Sequence, residues 1–305
     1  MLRFIRSRLL EAIPVLFVIA TLTFVMIRLA PGGPFSDERN VSPATLAKLE
    51  SHYHLDEPLP VQYLTWWRQT LTGDLGPSMR YGAHSVNEII AHTLPVSLEL
   101  GILAITFALI IGLGAGIIAG LKPNTVTDYA PMSLAMIGIC IPTFVIGPLL
   151  LLLFALRWQV FSVSGWDTVA DRILPAVTLG APYGAYIARL TRAGMLEVLN
   201  QDFIRTARAK GLSEFRIIYK HALKGGLLPV IAFLGPATAG LLSGSFVVEE
   251  IFDIPGLGQH FVNAAFNRDY TMIMGTVLLY AVMIVMFNLL VDIVQAALNP
   301  RLRLE

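Results

Sequence analysis

Phe203-Ile204-Arg205-Thr206-Ala207-Arg208-Ala209-Lys210-Gly211-Leu212 lies between two long apolar runs and carries three cations within six residues. A segment so charged is too costly to leave in lipid. It is therefore expected to project into water between two membrane helices, where a soluble partner can handle it. Asp202 stands where it can N-cap a short helix over 203–210. Gly211 suits a left-handed C-terminal cap, and Arg208 and Lys210 fall near the end where the helix dipole favours cations. Arg192 to Leu199 continues or caps the preceding helix, and a second short helix is expected over 213–223. The pattern reads as the membrane half of a machine whose motor is elsewhere.

The apolar runs around this segment support that reading. The chain has 305 residues, of which 55% are hydrophobic and only 14% charged, where a soluble domain carries about a quarter charged. The runs are long enough to cross a hydrocarbon core, about 20 residues each. Six spans are expected near 9–29, 95–120, 131–156, 174–192, 227–248 and 271–297, giving an all-α polytopic membrane protein. The fourth, with Pro175, Gly180, Pro182 and Gly184, is the least apolar and is expected inside a bundle rather than against lipid. Pro142 and Pro148 break the third. The run from Leu9 to Leu29 is longer than a typical signal core, and Glu11 and Pro14 fit a retained first helix. Most Lys and Arg fall on one side, including Arg3, Arg6, Arg8, Arg301, Arg303 and the 189–224 cluster, which places both termini in the cytoplasm.

The remaining features divide into packing and polar detail. Residues 31–93 form an outer segment that opens on the breaker Pro31-Gly32-Gly33-Pro34, with helical patterns near Pro43 to His54 and Pro60 to Leu71. The expected organisation is therefore 1–30, an outer cap over 31–93, and a five-helix membrane core over 94–305 with a basic loop at 193–226. Gly112, Gly116 and Gly120 stand four apart on one face, as do Gly240 and Gly244, so close helix packing is expected there. Cys140, the one cysteine, is expected to be a buried, inert thiol. Glu11, Glu99 and Asp292 lie near span ends, where hydration or local pairing is expected.

His52 and His54 stand two apart in the outer segment, with His84 and His92 later. That spacing points side chains apart on a helix, so no metal site is expected. Ser243 and Ser245 have no histidine in a neighbouring span, which argues against an intramembrane hydrolase. No Gly-x-x-x-x-Gly-Lys-Ser/Thr, His-Glu-x-x-His or Gly-x-Ser-x-Gly motif is present. Nothing in the charge pattern asks for a nucleic-acid partner. A stand-alone secondary transporter would need charged pairs at mid-membrane and broken helices in matching halves, and no matching half accompanies the third span.

The 203–212 segment resembles the EAA loop of ABC importer permeases. Arg205-Thr206-Ala207 stand where Glu-Ala-Ala would, and Gly211 is in register, with Leu228-Pro229 further on. The missing Glu departs from the general pattern and matches the peptide and nickel subfamily. Val247 to Gln259, Asn267-Arg268-Asp269-Tyr270, Arg28-Leu29-Ala30-Pro31-Gly32 and Gly73-Asp74-Leu75-Gly76 with Ser78 agree with it. The resemblance covers essentially the whole chain and is nearest to the B-type permease subunits of oligopeptide importers, with dipeptide, nickel and glutathione importers next.

The resemblance implies a type I importer permease of the bacterial inner membrane with no enzymatic activity and no cofactor of its own. ATP and Mg would sit on two partner ATPases. Arg205, Thr206, Ala207, Arg208, Lys210, Gly211 and Leu212 would form the coupling helix, with Arg205 and Arg208 pairing with acidic groups of an ATPase and Ala207 keeping the docking face small. Glu249, Glu250, Pro255, Gly256 and Gly258 would face an extracytoplasmic peptide-binding protein. A C-type permease and the lipid bilayer complete the expected partners.

Overall fold

The computed structural model describes residues 2–35, 42–243 and 245–298, so Arg39, Gly244, Arg301 and Arg303 lie outside the described residues. Among the described residues fourteen α-helices follow one another and no strand occurs. They are α1 (Leu2–Leu29), α2 (Pro43–His52), α3 (Leu59–Leu71), α4 (Val86–Leu121), α5 (Val126–Cys140), α6 (Thr143–Leu150) and α7 (Val169–Leu199). Then come α8 (Asp202–Ala209), α9 (Glu214–Arg216), α10 (Leu223–Gly226), α11 (Leu228–Ser243), α12 (Ser245–Ile251), α13 (Leu257–Asn267) and α14 (Tyr270–Leu298). Two compact units result: Met1–Ile5, Ser97–Ile254 and Met286–Glu305 form one, Arg6–Val96 and Pro255–Val285 the other.

Each of the six expected apolar segments is mostly helical over its described residues. Ile5–Leu29, Val86–Leu121 and Tyr270–Val294 are each long and apolar enough to cross a membrane. Two further helix pairs are apolar enough when taken together, each as a broken span or a re-entrant loop: Val126–Cys140 with Thr143–Arg157, bent by 108°, and Glu214–Gly226 with Leu228–Thr238, bent by 49°, the second opening on the exposed cations Arg216, Lys220 and Lys224. The first bend falls at Ile141-Pro142. Ile141 is extended, at φ −90° and ψ 122°, as the residue before a proline prefers, and Pro142 opens α6. Cys140 is the last residue of α5 at this bend and is exposed, not buried as expected, because the chain turns away there and leaves its side chain uncovered.

The expected fourth span lies within α7. This helix does not reach the apolar threshold of the others, and it does not need to, because it is the buried centre of its unit. Leu174, Thr178, Leu179, Gly184, Ile187, Ala188, Thr191 and Met195 are among its buried residues. Its tight fit against α4 comes from glycine. A β-carbon on Gly112 would meet Gly184 O at 2.6 Å, one on Gly116 would meet Ala188 O at 2.5 Å, and one on Gly120 would meet Met195 Cβ at 2.8 Å. Gly180 returns the fit from α7, with Ala104 O at 2.5 Å. Lower down, Gly194 packs directly on the backbone of Gly226. Without a hydrophobic drive between helices in lipid, such close backbone approach supplies the dispersion contacts that hold them.

At one end of this unit Arg192 of α7 forks onto Asp128 in the first turn of α5, with Nε–Oδ1 2.5 Å and Nη2–Oδ2 2.7 Å. Asp128 is 1% exposed and also accepts from the Asn124 amide at 2.9 Å, so the buried charge is fully bonded. Toward the other end, Glu99 of α4 accepts from Arg172 at 2.8 Å and from Trp166 Nε1 at 3.0 Å, the local pairing expected for it. Nearby, Asp171 closes a capping box with Thr168, and its carboxyl is held below the usual range by hydrogen bonds from Ser162 and Thr168.

In the second unit the expected cap helices are present as α2 and α3. Ser42 caps α2 by accepting from the Thr45 amide at 3.2 Å, with Pro43 in the first turn. Trp66 of α3 packs on Ala20 and Phe24 of α1 and on Met274 of α14. Val86, Ile89 and Ile90 of α4 join Leu257, Ala264 and Met272. Burial of Tyr53, helped by the nearby Asp269 charge, raises its phenol above its ordinary value. Ser78 Oγ donates to Asp269 at 2.5 Å, and Asp269 also accepts from the Met272 amide at 3.0 Å, so it caps α14 while fastening the loop before α4.

The glycine contacts give a direct test. Gly116→Ala puts a methyl group against the Ala188 carbonyl, and overpacking of this kind costs about 1–3 kcal/mol. Gly114 has nothing within 4 Å, so Gly114→Ala is expected to be neutral or slightly stabilising. Thermal unfolding of the purified protein in detergent should separate the two; equal midpoints would show that the α4–α7 contact is not limiting.

Candidate functional site

The basic segment begins where α7 ends. Asn200 and Gln201 break the helix, and α8 starts at Asp202 with Gln201 as its N-cap. Asp202 is thus the first helical residue and not the expected cap; its carboxylate lies 3.3 Å from Arg205 Nη1. Thr206 Oγ1 bonds back to Asp202 O at 3.0 Å. At the other end Lys210 is the C-cap and Gly211 is left-handed at φ 74°. The Gly211 amide donates to Arg208 O at 2.9 Å and the Leu212 amide to Ala207 O at 3.3 Å. This pair of bonds is the Schellman closure, and it uses carbonyls that a helix end otherwise leaves without donors.

Hydrophobic residues decide which way α8 faces. Ile204 is fully buried and Ala207 is 8% exposed. Both pack with Met195 and Val198 of α7 and with Ile217 and Ala222, which follow α9. Leu212 packs on the edge of the same cluster. Ala207 therefore serves the chain's own core, and the sequence-based expectation that it forms an outer docking face is corrected. Its small side chain lets α8 lie close to α7.

The open face carries Phe203, Arg205, Thr206, Arg208, Ala209 and Lys210. Residues 200–226 hold six cations (Arg205, Arg208, Lys210, Arg216, Lys220, Lys224) against two carboxylates, Asp202 and Glu214. Lys210, Arg216, Lys220 and Lys224 are exposed and have no ion-pair partner among the described residues. Arg208 does have one. Its Nε lies 2.8 Å from Glu214 Oε1, and Nη2 lies 3.3 Å from Oε2, across the Gly211 turn. The bond from Arg208 holds the Glu214 carboxyl below its ordinary range, and the same bond raises Arg208. Arg208 thus clamps the turn in addition to presenting charge.

Beyond the turn the expected second helix is present as α9 and α10, joined by a π-helical stretch over Ile217–Ala222. Phe215 and Tyr219 stand exposed and stacked, with ring centroids 6.1 Å apart. Neither they nor Glu214 and Asp128 were singled out by sequence reasoning. The available signal for Glu214 was its place just after the Gly-Leu turn; Asp128 offered only a carboxylate in a helix's first turn.

The outer residues expected to face a partner separate into two kinds. Glu249 is fully buried on α12, not on a loop, and accepts from Ser97 Oγ at 2.8 Å. Gly256 caps α13 and is buried, as is Gly258. Partner-facing roles for these three are corrected by their burial, while Glu250 and Pro255 are exposed. Among the described residues no group of three His, Cys, Asp or Glu could hold a metal ion. His54 bonds Glu57 at 3.0 Å, and His260 is pushed below its ordinary value by burial.

The chain is similar to known proteins in sequence and in fold. A family model described as binding-protein-dependent transport system inner membrane component matches residues 112–304, and the N-terminal model of such membrane components matches residues 1–101. The oligopeptide transport system permease protein OppB of Salmonella typhimurium is 48% identical over 305 residues, covering 99% of this chain and 100% of its own. The dipeptide transport system permease protein DppB of Bacillus subtilis is 46% identical, covering 100% and 99%. Among solved structures, the inward-facing MetNI methionine ABC transporter aligns with a TM-score of 0.58 at 19% identity, covering 69% of this chain and 96% of that one.

The clamp predicts a pH dependence with a definite sign. Because the folded carboxyl of Glu214 is depressed, its contribution is complete above the ordinary carboxylate value of about 4.3 and is lost as pH falls through the lower folded value. Hydrogen-exchange protection of the Leu212 amide should fall in that acidic window, and Glu214→Gln should remove the dependence. An unchanged profile in that variant would show that the pair does not hold the turn.

Proposed function

Because this chain belongs to the inner-membrane components of binding-protein-dependent transport systems, we propose that it is the permease subunit through which an ABC importer passes oligopeptides into the cytoplasm. The observation that carries the reading is α8 itself: a short helix seated on its own core through Ile204 and Ala207, closed by the Gly211 turn, with its cations outward. A rigid element of this kind transmits displacement without bending. The helix docks on a partner ATPase, which holds ATP and Mg, and closure of two such ATPases moves α8 and, through Met195 and Val198, the end of α7. A dipeptide cargo is the second reading, favoured by the similarity to the Bacillus subtilis permease.

In this reading the termini and the 193–226 loop lie in the cytoplasm, and residues 31–93 face outward. A C-type permease completes the path, and a binding protein delivers cargo against the outer surface that includes Glu250 and Pro255. Arg205 and Lys210 supply the charges that meet acidic groups of the ATPase. Thr206, Arg208, Gly211 and Leu212 keep the helix in shape for that contact.

Purification of the tagged chain from its native membrane in mild detergent, with companions identified by mass spectrometry, tests the assembly. Two ATPase copies and a second permease are expected; a stable and functional chain recovered alone would overturn the reading. Within the assembled importer, Gly211→Ala forces an alanine into the left-handed region at a cost of about 1–2 kcal/mol. The peptide moved per ATP hydrolysed should fall, while a ratio equal to wild type would separate the turn from coupling.

A further inference from the structure

Arg28 stands in the last turn of α1, a helix long and apolar enough to cross a membrane. Its guanidinium is held but not neutralised. Nε and Nη2 both donate to Gln62 Oε1 of α3, at 3.0 and 2.7 Å. Gln62 is itself fixed, because its Nε2 donates to Leu55 O at 3.1 Å and to Glu57 O at 2.8 Å. Its amide oxygen is thereby left for Arg28. The Phe24 ring centroid lies 3.9 Å from the guanidinium carbon and that of Tyr270 lies 5.3 Å away. Aromatic faces suit a cation but carry no net charge. Among the described residues no carboxylate pairs with Arg28, and its Nη1 has no acceptor.

Two cavities share Arg28 and Phe24 in their walls. The first is polar, with Tyr53, Gln62, Trp66 and Gln69 among its lining residues. Trp66 is 8% exposed, and its indole Nε1 is buried with no hydrogen-bond partner. A buried donor left in that state is costly. This cavity therefore has a second unused donor in addition to those of Arg28. The other cavity is a groove of about 290 Å³ between α1 and α3, lined by Thr21, Val25, Leu29, Leu59, Pro60 and Tyr63. The hydroxyls of Thr21 and Tyr63 bond each other at 2.6 Å, so the groove offers its visitor little but hydrocarbon. Val25, Leu29 and Leu59 are exposed along it. Neither lining contains an Asp or Glu among the described residues.

An occupant has to match both chemistries at once. A soluble anion satisfies the guanidinium and leaves the groove bare; a hydrocarbon does the reverse. A glycerophospholipid carries an acyl chain and a phosphodiester in one molecule, and the guanidinium fork matches phosphate oxygens. The linings also select the headgroup. An ammonium headgroup brings a second cation to Arg28 with no carboxylate to receive it, whereas phosphatidylglycerol brings a net negative charge and hydroxyls.

We propose that the α1–α3 groove and Arg28 bind an anionic glycerophospholipid of the phosphatidylglycerol type, its acyl chain along Val25, Leu59 and Tyr63 and its phosphate on Arg28. The lipid bridges α1 and α3 and supplies the charge that Gln62 does not. The site concerns this chain's seat in the bilayer and is independent of which cargo passes.

The test uses the full-length chain, purified in mild detergent with the companions it retains, stripped of lipid and titrated with phosphatidylglycerol or phosphatidylcholine. Native mass spectrometry reads the bound lipid. Wild type should hold one phosphatidylglycerol more tightly than Arg28→Gln does, by about tenfold, the loss expected for a charge-assisted hydrogen bond. Arg28→Lys should recover most of that difference, and Val25→Trp, which fills the groove and leaves the cation, should weaken the same adduct. Phosphatidylcholine should not separate the variants. Because Arg28→Gln also breaks the bonds to Gln62, the groove is read separately: p-benzoylphenylalanine in place of the exposed Leu59, illuminated in the native membrane, should crosslink to phospholipid. Equal phosphatidylglycerol affinity in wild type and Arg28→Gln would overturn the proposal. Displacement of the adduct by inorganic phosphate would reduce the site to one for free anions, and a crosslink from position 59 to the second permease or another protein would make the groove a protein contact; either result overturns the lipid assignment. Failure to recover ATPases ends the importer reading and leaves each of these outcomes readable.

Discussion

The constraint on which the unit around α7 depends is the backbone contact between α4 and α7. Gly112, Gly116 and Gly120 let α4 lie against carbonyls of α7, and Gly180 returns the fit. In lipid, apolar side chains gain little by meeting each other, so association depends on how near two backbones can come. With α4 seated this way and α5 packed alongside, α7 can be poor in large apolar residues and still sit at the centre. Its prolines, threonines and glycines are tolerated because neighbouring helices, not lipid, surround them.

That placement carries the rest. A helix held on three sides has one side to spare, where Tyr186, Arg189, Ala193 and Glu197 are exposed. Its last turns supply Met195 and Val198, the floor on which Ile204 and Ala207 settle. The α8 segment is thus fixed to the central helix by burial and to its own turn by the Gly211 closure and the Arg208–Glu214 pair. Force applied to α8 reaches α7 through direct contact. The buried Arg192–Asp128 fork ties the same end of α7 to α5, so the helices move as neighbours.

Burial sorted the charged residues in ways that alter their roles. Arg208, expected as a docking charge, is engaged within the turn, whereas Lys210 remains outward. Glu249 is folded inside against Ser97. Two motifs read separately in the sequence, Gly73 to Ser78 and Asn267 to Tyr270, meet in one bond between Ser78 and Asp269. Their joint presence reflects a single structural fastening of the loop before α4.

The sequence by itself determined the apolar runs, the two helices α2 and α3 between α1 and α4, the Gly211 turn and the glycine face of α4. Each of these follows from local chemistry: transfer cost, helix period, or the φ that only glycine adopts freely. The tertiary structure alone decided which face of α8 turns inward, that Cys140 is uncovered at the Ile141-Pro142 bend, that Asp128 lies opposite Arg192, and that Ser78 meets Asp269 across 191 residues. Those outcomes depend on which backbones approach each other, and a one-dimensional pattern of polarity carries no record of distance between residues far apart in the chain.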